Sequence, residues 1–342
     1  MRLLCDLTFP EVENLILSWG EPGYRARQIW QGLYQNLWNS PQEFTNLPAS
    51  LRARMAEELQ FQVLSPVTTL KSSDGQTVKT LFRLQDGKAI EVVLMRYEKR
   101  NTLCISTQVG CAMGCVFCAT GQMGFKRHLS SGEIVAQVLY YARQLHESAE
   151  TVTNIVVMGM GEPFQNYDNT LTAIDRLNEP GGFNFGARRF TISTVGLIPA
   201  IRRFASEKRQ INLAISLHAA QDALRTSMLP VNRRYPIDEL LEACRDYVVT
   251  TGRRITFEWA LINGVNDTPA QAQLLAYKLK GLLCHVNAIP LNPTRGYPGQ
   301  ATTRPRAEKF QEILVQSGIP CTLRLRRGID IQAGCGQLLS NV

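Results

Sequence analysis

Cys111, Cys115 and Cys118 stand within "CAMGCVFCAT", three thiols in eight positions with the spacing C-x-x-x-C-x-x-C. Thiolates are soft ligands that select zinc or iron–sulfur clusters. A closed structural zinc site takes four ligands, and a Cys3His set could recruit His128, ten residues past Cys118. Three cysteines on a four-iron cluster instead leave one iron without a protein ligand, and an open iron can bind substrate. Both chemistries stand open at this point. The chain carries nine cysteines, an odd number without a secretory signal, which predicts reduced thiols, metal ligation or thiol chemistry and not a disulfide framework. Cys5, Cys244, Cys284 and Cys321 are isolated, as buried packing thiols are.

The elements that must position these thiols follow from the apolar pattern. From Cys104 onward six short apolar runs alternate with helical stretches: "TLCISTQVG", "TNIVVMGMG", "RFTISTVG", "INLAISLHA", "RITFEWALI" and "HVNAIPLN". Several end in Gly or a polar residue, as strands do where they feed loops at the carboxyl rim of a parallel sheet. Six such units make a partial barrel or an open doubly wound sheet, and the pattern alone does not choose. Upstream, "EVENLILSW", "YRARQIWQGLYQNL" and "PASLRARMAEEL" have helical spacing, and "TVKTLFRLQDGKAIEVVLMRY" holds two alternating runs about Asp86-Gly87, a hairpin signal. The expected organisation is a helical module over 1–65, a linker and β-hairpin over 66–100, and an α/β domain over 101–342.

With 342 residues and 44% hydrophobic content, the chain can bury a large core. No signal peptide and no run of membrane-spanning length is visible, which predicts a cytoplasmic protein away from membranes. The net charge of +8 lies outside the first sixty residues, which hold five Lys/Arg against seven Asp/Glu. Basic pairs recur at Lys126-Arg127, Arg188-Arg189, Arg202-Arg203, Arg233-Arg234, Arg253-Arg254 and Arg326-Arg327. Each alone is an ordinary solvated feature; together they predict a phosphate-tracking face.

The C-x-x-x-C-x-x-C loop after the first of these strands resembles the radical-SAM superfamily, which implies one 4Fe-4S cluster on Cys111, Cys115 and Cys118. In that superfamily the open iron chelates S-adenosylmethionine and a transferred electron releases a 5'-deoxyadenosyl radical. "CISTQVGCAMGCVFCATGQMGFKRHL", "GMGEP", "ISTVG", "SLHA", "NP" and "GIDIQAGCGQL" narrow the resemblance, with "GYRARQIWQGLY" and "LPASLR" in the helical module. These runs are similar to the adenosine carbon-2 methyltransferases of the RlmN type, which act on 23S ribosomal RNA and transfer RNA. The resemblance implies a partial (βα)6 barrel with a helical RNA-engaging accessory domain. It also implies an external one-electron donor such as flavodoxin or ferredoxin, and a monomer. Carbon 2 of adenine has no lone pair to attack a sulfonium methyl group, so a radical route through a thioether fits the abundance of sulfur.

Further roles come from the resemblance. Cys335, between Gly334 and Gly336, is the expected methyl carrier, and Cys104 the thiol that resolves the RNA adduct through a transient disulfide. Their ordinary readings are a packing thiol in a tail and a buried strand cysteine. Glu91 in "AIEVVLMRY" is the expected proton acceptor; among apolar neighbours its proton affinity would rise, though exposure on a sheet edge is the plain alternative. Gly161 and Glu162 of "GMGEP", Ser193, Ser216, Leu217, His218 and Asn292 fall at strand ends where the family binds S-adenosylmethionine. For His218 the ordinary reading is a hydrogen-bonded core histidine. Two rival functions remain: a carbon-8 adenosine methyltransferase, disfavoured by the "STQVGCAMGC" context, and a zinc-stabilised RNA-binding module.

Overall fold

The structure is a computed structural model that describes residues 1–339. Its main sheet contains ten strands, each added beside the one before it in the chain. β1 Ser65–Lys71, β2 Thr77–Arg83, β3 Ala89–Tyr97 and β4 Arg100–Cys104 pair antiparallel. From β4 the sheet continues in parallel through β5 Asn154–Val157, β6 Phe190–Thr194, β7 Asn212–Ser216, β8 Ile255–Leu261, β9 Cys284–Pro290 and β10 Cys321–Leu323. A doubly wound sheet reverses its strand order, whereas this one never does, so the winding is that of a barrel. The first and last strands, β1 and β10, stand at opposite ends of the order, and the barrel is open.

β4 to β9 are the six strands that the apolar runs predict. β10 is a seventh, and its three residues are too few to show an alternation. The Asp86-Gly87 hairpin joins β2 to β3 with Gly87 at φ +79°. Residues 89–94 of β3 are buried on both faces, and β3 pairs directly with β4, so the hairpin extends the barrel sheet.

Seven longer helices wrap the parallel strands: α4 Ser131–His146, α5 Tyr167–Asn178, α6 Ile198–Ser206, α7 Asp222–Met228, α8 Ile237–Thr251, α9 Pro269–Leu279 and α10 Arg304–Gln316, once α1 Phe9–Ser18, α2 Tyr24–Tyr34 and α3 Ala49–Glu58 are assigned to the amino-terminal module. Thr8-Glu11 and Ser130-Glu133 form capping boxes that start α1 and α4. Asp6 ties the module to the barrel: its Oδ1 accepts from the Gly132 N–H at 2.5 Å and from the Ser131 hydroxyl at 3.1 Å. Arg176 on α5 is buried and donates to the Cys5 and Asp6 carbonyls. Cys5, Cys244, Cys284 and Cys321 are buried. Among the described residues no helix is long and apolar enough to cross a membrane.

Candidate active site

The loops that leave β4 to β9 meet at one rim, around a cavity of about 170 Å³. Cys115, Cys118, Gly161, Glu162, Ser193, Ser216, His218, Asn292 and Cys335 all line it. Cys111 is buried and feels the charge of both Cys118 and Glu162. Leu217 is fully buried, and its side chain is not part of the cavity wall.

The cysteine loop folds tightly because Gly110 takes φ +70° and a Cβ there would lie 1.9 Å from the Gly124 carbonyl oxygen. The Cys111 N–H donates to that same oxygen at 3.2 Å. Among the described residues no three His, Cys, Asp or Glu side chains gather as a site for a metal ion. His128, the fourth ligand of the zinc alternative, is held away from the cavity, with Nδ1 at 3.1 Å from Gln108 Nε2 and its ring packed on Phe125. The donor chemistry of the loop, three soft thiols without a competing carboxylate among them, fits an iron–sulfur cluster. Beneath it Arg225 is completely buried and donates to the Leu217, Ser216 and Val195 carbonyls and to Asn232 Oδ1. That places a fixed positive charge close to Cys115.

Glu162 is nearly inaccessible, and burial raises its pKa to about 7. Its Oε2 accepts from the Val195 N–H and its Oε1 from the Phe164 N–H, both at 2.9 Å. Gly161 at φ +106° lets this turn press on Gln108, where a Cβ would come within 2.6 Å of the Gln108 side chain. His218 occupies the left-handed region at φ +59°, uncommon for a non-glycine residue and typical of functional sites. Its Nδ1 accepts from the Ala260 N–H at 2.9 Å, so the ring proton resides on Nε2. Burial lowers its pKa to about 3 and keeps it a neutral donor. His218 is thus both a hydrogen-bonded histidine and part of the cavity wall. Ser193 and Ser216 face each other with Oγ atoms 3.3 Å apart. Asn292 donates to the Cys335 carbonyl at 3.1 Å while its Oδ1 is buried without a partner. An orphaned acceptor beside a buried carboxylate and a neutral imidazole donor fits an amino-acid-bearing nucleoside such as S-adenosylmethionine.

A second cavity opens on the other side of Cys335. Cys335, Asn292, Met158 and Ile289 line both, and Cys104, Tyr97 and Arg324 line the second. Cys335 is exposed and lines both cavities. Dense protein around it raises its thiol pKa, which Arg324 opposes. Cys104, buried at the end of β4, is raised further by burial and by the nearby Cys335. The fold therefore brings together two cysteines 231 positions apart.

Glu91 is buried in β3, not exposed on an edge. Its Oε1 pairs with Lys79 Nζ at 2.8 Å and its Oε2 accepts the Leu339 N–H at 2.9 Å. Burial raises its pKa and Lys79 opposes the rise. The carboxylate lies behind the tail, outside the walls of both cavities that Cys335 lines. The basic pairs do not build one face: Arg188-Arg189 and Arg253-Arg254 precede β6 and β8 at the opposite rim, and only Arg326-Arg327 lines a cavity beside Cys335. Sequence reasoning missed Lys79, Arg225, Arg324 and Glu258, a buried carboxylate in the wall of the first cavity whose Oε1 accepts from Asn287 Nδ2 at 3.0 Å. No local spacing marks them, since each acquires its neighbours only through the fold.

Residues 105–272 match the radical SAM superfamily, and residues 3–60 match the ribosomal RNA large subunit methyltransferase N-terminal domain. The chain is 50% identical over 348 residues to a probable dual-specificity RNA methyltransferase RlmN of Chloroflexus aurantiacus, covering 98% of this chain and 92% of the relative. It is also 50% identical over 339 residues to the dual-specificity RNA methyltransferase RlmN 1 of Myxococcus xanthus, covering 99% and 94%. The crystal structure of a radical SAM methyltransferase from Sphaerobacter thermophilus superposes with a TM-score of 0.97 at 54% identity, covering 99% of each chain.

Proposed function

The chain belongs to the RlmN family of radical SAM methyltransferases, and from that premise we propose that it methylates carbon 2 of a specific adenosine in 23S ribosomal RNA and in transfer RNA. The observation that carries this reading is the position of Cys335, on the wall shared by the cavity of Cys115, Cys118 and Glu162 and the cavity of Cys104. A carrier must be addressed first from the cofactor side and then from the RNA side. Cys335 faces both.

Cys111, Cys115 and Cys118 would hold the 4Fe-4S cluster, which with S-adenosylmethionine supplies the electron and the 5'-deoxyadenosyl radical; a first S-adenosylmethionine supplies the methyl group. Glu162 accepts the cofactor ammonium, with Gly161 giving the close backbone approach. Asn292, Ser193, Ser216 and the Nε2–H of His218 offer it hydrogen bonds; Leu217 contributes through its backbone position between Ser216 and His218. Cys335 carries the methyl carbon to adenine. Glu91 takes the proton from carbon 2 once the tail withdraws the Leu339 N–H. Cys104, as its thiolate, then attacks the Cys335 sulfur and forms the disulfide. The electron pair of the broken sulfur–carbon bond stays on the carbon, which takes a proton to become the methyl group, and the unpaired electron of the adduct is given back to the one-electron couple that supplied it. A flavodoxin- or ferredoxin-type donor, a monomeric cytoplasmic enzyme and an RNA-engaging role for residues 1–65 complete the proposal.

The test is C104A, incubated anaerobically with S-adenosylmethionine, reductant and RNA. A covalent protein–RNA adduct is expected, seen as an RNase-sensitive shift on a denaturing gel. Free methylated RNA at the wild-type rate would overturn the assigned roles. Nuclease digestion and mass spectrometry of wild-type product nucleosides should yield 2-methyladenosine; 8-methyladenosine would place the chain with the carbon-8 enzymes.

A further inference from the structure

Tyr97 ends β3 beside the second cavity and organises an arginine cluster. The Arg100 guanidinium carbon lies 4.2 Å from its ring centroid and that of Arg327 lies 4.3 Å from the same point. Both guanidiniums are within cation–π range of the one phenol ring. Arg324 and Arg326 line the same cavity as Tyr97 and Arg327. Among the described residues none of these four arginines has a carboxylate oxygen within 4.0 Å. Other arginines are paired with carboxylates, Arg127 with Asp86 and Glu133, Arg203 with Asp168 and Arg306 with Asp267, while buried ones such as Arg225 and Arg176 are satisfied by carbonyls instead. Positive charge without a direct ion pair is thus gathered beside Cys104 and Cys335, with Glu258 and Asp74 acting on Arg324 and Arg327 only from beyond contact.

We propose that Tyr97, Arg100, Arg324 and Arg327 form a phosphodiester subsite that holds the RNA strand next to the nucleotide presented to Cys335. This rests on the reading of the chain as an RNA methyltransferase. Guanidinium forks match phosphate oxygens in a bidentate manner, and stacking on Tyr97 fixes their planes in advance. Arginine forks that bind phosphate oxygens fix the position of a strand without reading its bases, so the cluster recognises backbone and not sequence. An acidic redox protein would also be attracted by the charge. The cavity walls of Cys104 and Cys335 are concave, however, and admit a strand more readily than a protein face.

The experiment compares wild type, R100Q/R327Q and K208Q/K280Q. The last removes two exposed charges at the opposite rim, before β7 and β9. Methylation of Cys335 by S-adenosylmethionine alone, read by intact mass, reports folding and cofactor chemistry without RNA, and R100Q/R327Q should retain it. RNA affinity should fall about tenfold or more in R100Q/R327Q, with a plot of log affinity against log salt shallower by about two. Arg100→Lys with Arg327→Lys should recover the salt slope but only part of the affinity. An unchanged slope in R100Q/R327Q, or an equal change in K208Q/K280Q, would overturn the subsite. So would intact RNA binding with impaired reduction by flavodoxin, which would assign the cluster to a redox partner. If wild type binds RNA but never methylates it, the reading of the enzyme fails while the salt slopes still judge the subsite.

Discussion

On the barrel rim Arg225 and Glu162 each meet several fixed partners, whereas the described tail residues around Cys335 each reach the barrel through one hydrogen bond at most. Arg225 donates to four carbonyls and an amide, and Glu162 accepts two backbone N–H groups. Along the tail, the Gly336 carbonyl accepts from the Ala119 N–H, the Leu338 carbonyl from the Thr120 hydroxyl, and the Gln332 carbonyl from Lys79. Gln337 reaches the Pro293 carbonyl at 2.9 Å, and the Leu339 N–H covers Glu91. A neutral hydrogen bond is worth about 1 kcal/mol net, so tail tethers are separable while the rim is not. The contrast matches the two tasks: cofactor positioning needs preorganisation, and a carrier visiting two cavities needs release. It also gives the tail a second effect, because the segment that bears Cys335, the proposed carrier, covers Glu91, the proposed proton acceptor.

The sharpest break of that comparison is E91Q. The amide keeps the shape and can still accept the Leu339 N–H, but it cannot take a proton. Removing a positioned base costs about 10²- to 10⁴-fold in rate. Methylated RNA from E91Q should fall by that order in single-turnover assays, while Cys335 is still methylated and the protein–RNA adduct still forms. A near-wild-type yield would place the proton acceptor elsewhere and reduce Glu91 to a tail latch.

R225M probes the fixed side. Burial lowers the Arg225 pKa only to about 10, so the guanidinium is charged at neutral pH. Its removal leaves the Leu217, Ser216 and Val195 carbonyls and Asn232 Oδ1 short of donors in the interior. The expected loss is about 3 kcal/mol or more, read from denaturant midpoints at constant m-value. A loss under about 1 kcal/mol would mean that water or neighbouring N–H groups replace the arginine, and the rim would be as adaptable as the tail.

How much of this was legible before folding depends on how local each signal is. The cluster cysteines share one loop, so their spacing states their chemistry, and the Asp86-Gly87 turn and the six apolar runs are equally local. Strand order is not local, which is why a barrel and a doubly wound sheet could not be separated until the pairing was seen. Cys104 and Cys335 looked like a strand thiol and a tail thiol because their meeting depends on the whole barrel; only resemblance paired them. Lys79 alternates with apolar neighbours on a strand and reads as surface, yet it is buried against Glu91. Leu217 was carried by its place in the Ser216-Leu217-His218 run, and its side chain points into the core.

A smaller effect separates the two regions by pH. Glu162, with its pKa raised to about 7 by burial, is neutral below that value and charged above it. Only the charged form attracts the ammonium of S-adenosylmethionine, so affinity should rise about tenfold from pH 6 to pH 8. The stability of the apoprotein should move the other way. The folded state holds this proton more tightly than the unfolded chain, whose carboxyl titrates near 4.5, so the contribution is full below about 4.5 and is lost as pH rises through about 7. E162Q should bind the cofactor weakly and without this slope in calorimetric titrations. A slope that persists in E162Q would assign the pH dependence to another group.

The smallest expected effect lies in a single tail tether. T120V replaces the hydroxyl that donates to the Leu338 carbonyl at 2.7 Å with a methyl group of similar volume, next to the Ala119 N–H that holds Gly336. Losing one neutral hydrogen bond costs about 1 kcal/mol, which raises the population of the released tail about fivefold. Cys335, already exposed, should then react with iodoacetamide up to fivefold faster. Buried Cys104 should gain as well, because the departing tail uncovers the second cavity. Alkylation of Cys244, enclosed among the barrel helices, should be unchanged in the same sample and so reports that the core stays closed. Equal rates in wild type and T120V would show that the tail is held by its ends, through Gln332 and Leu339. The release step would then lie at Lys79, which donates to the Gln332 carbonyl and pairs with Glu91.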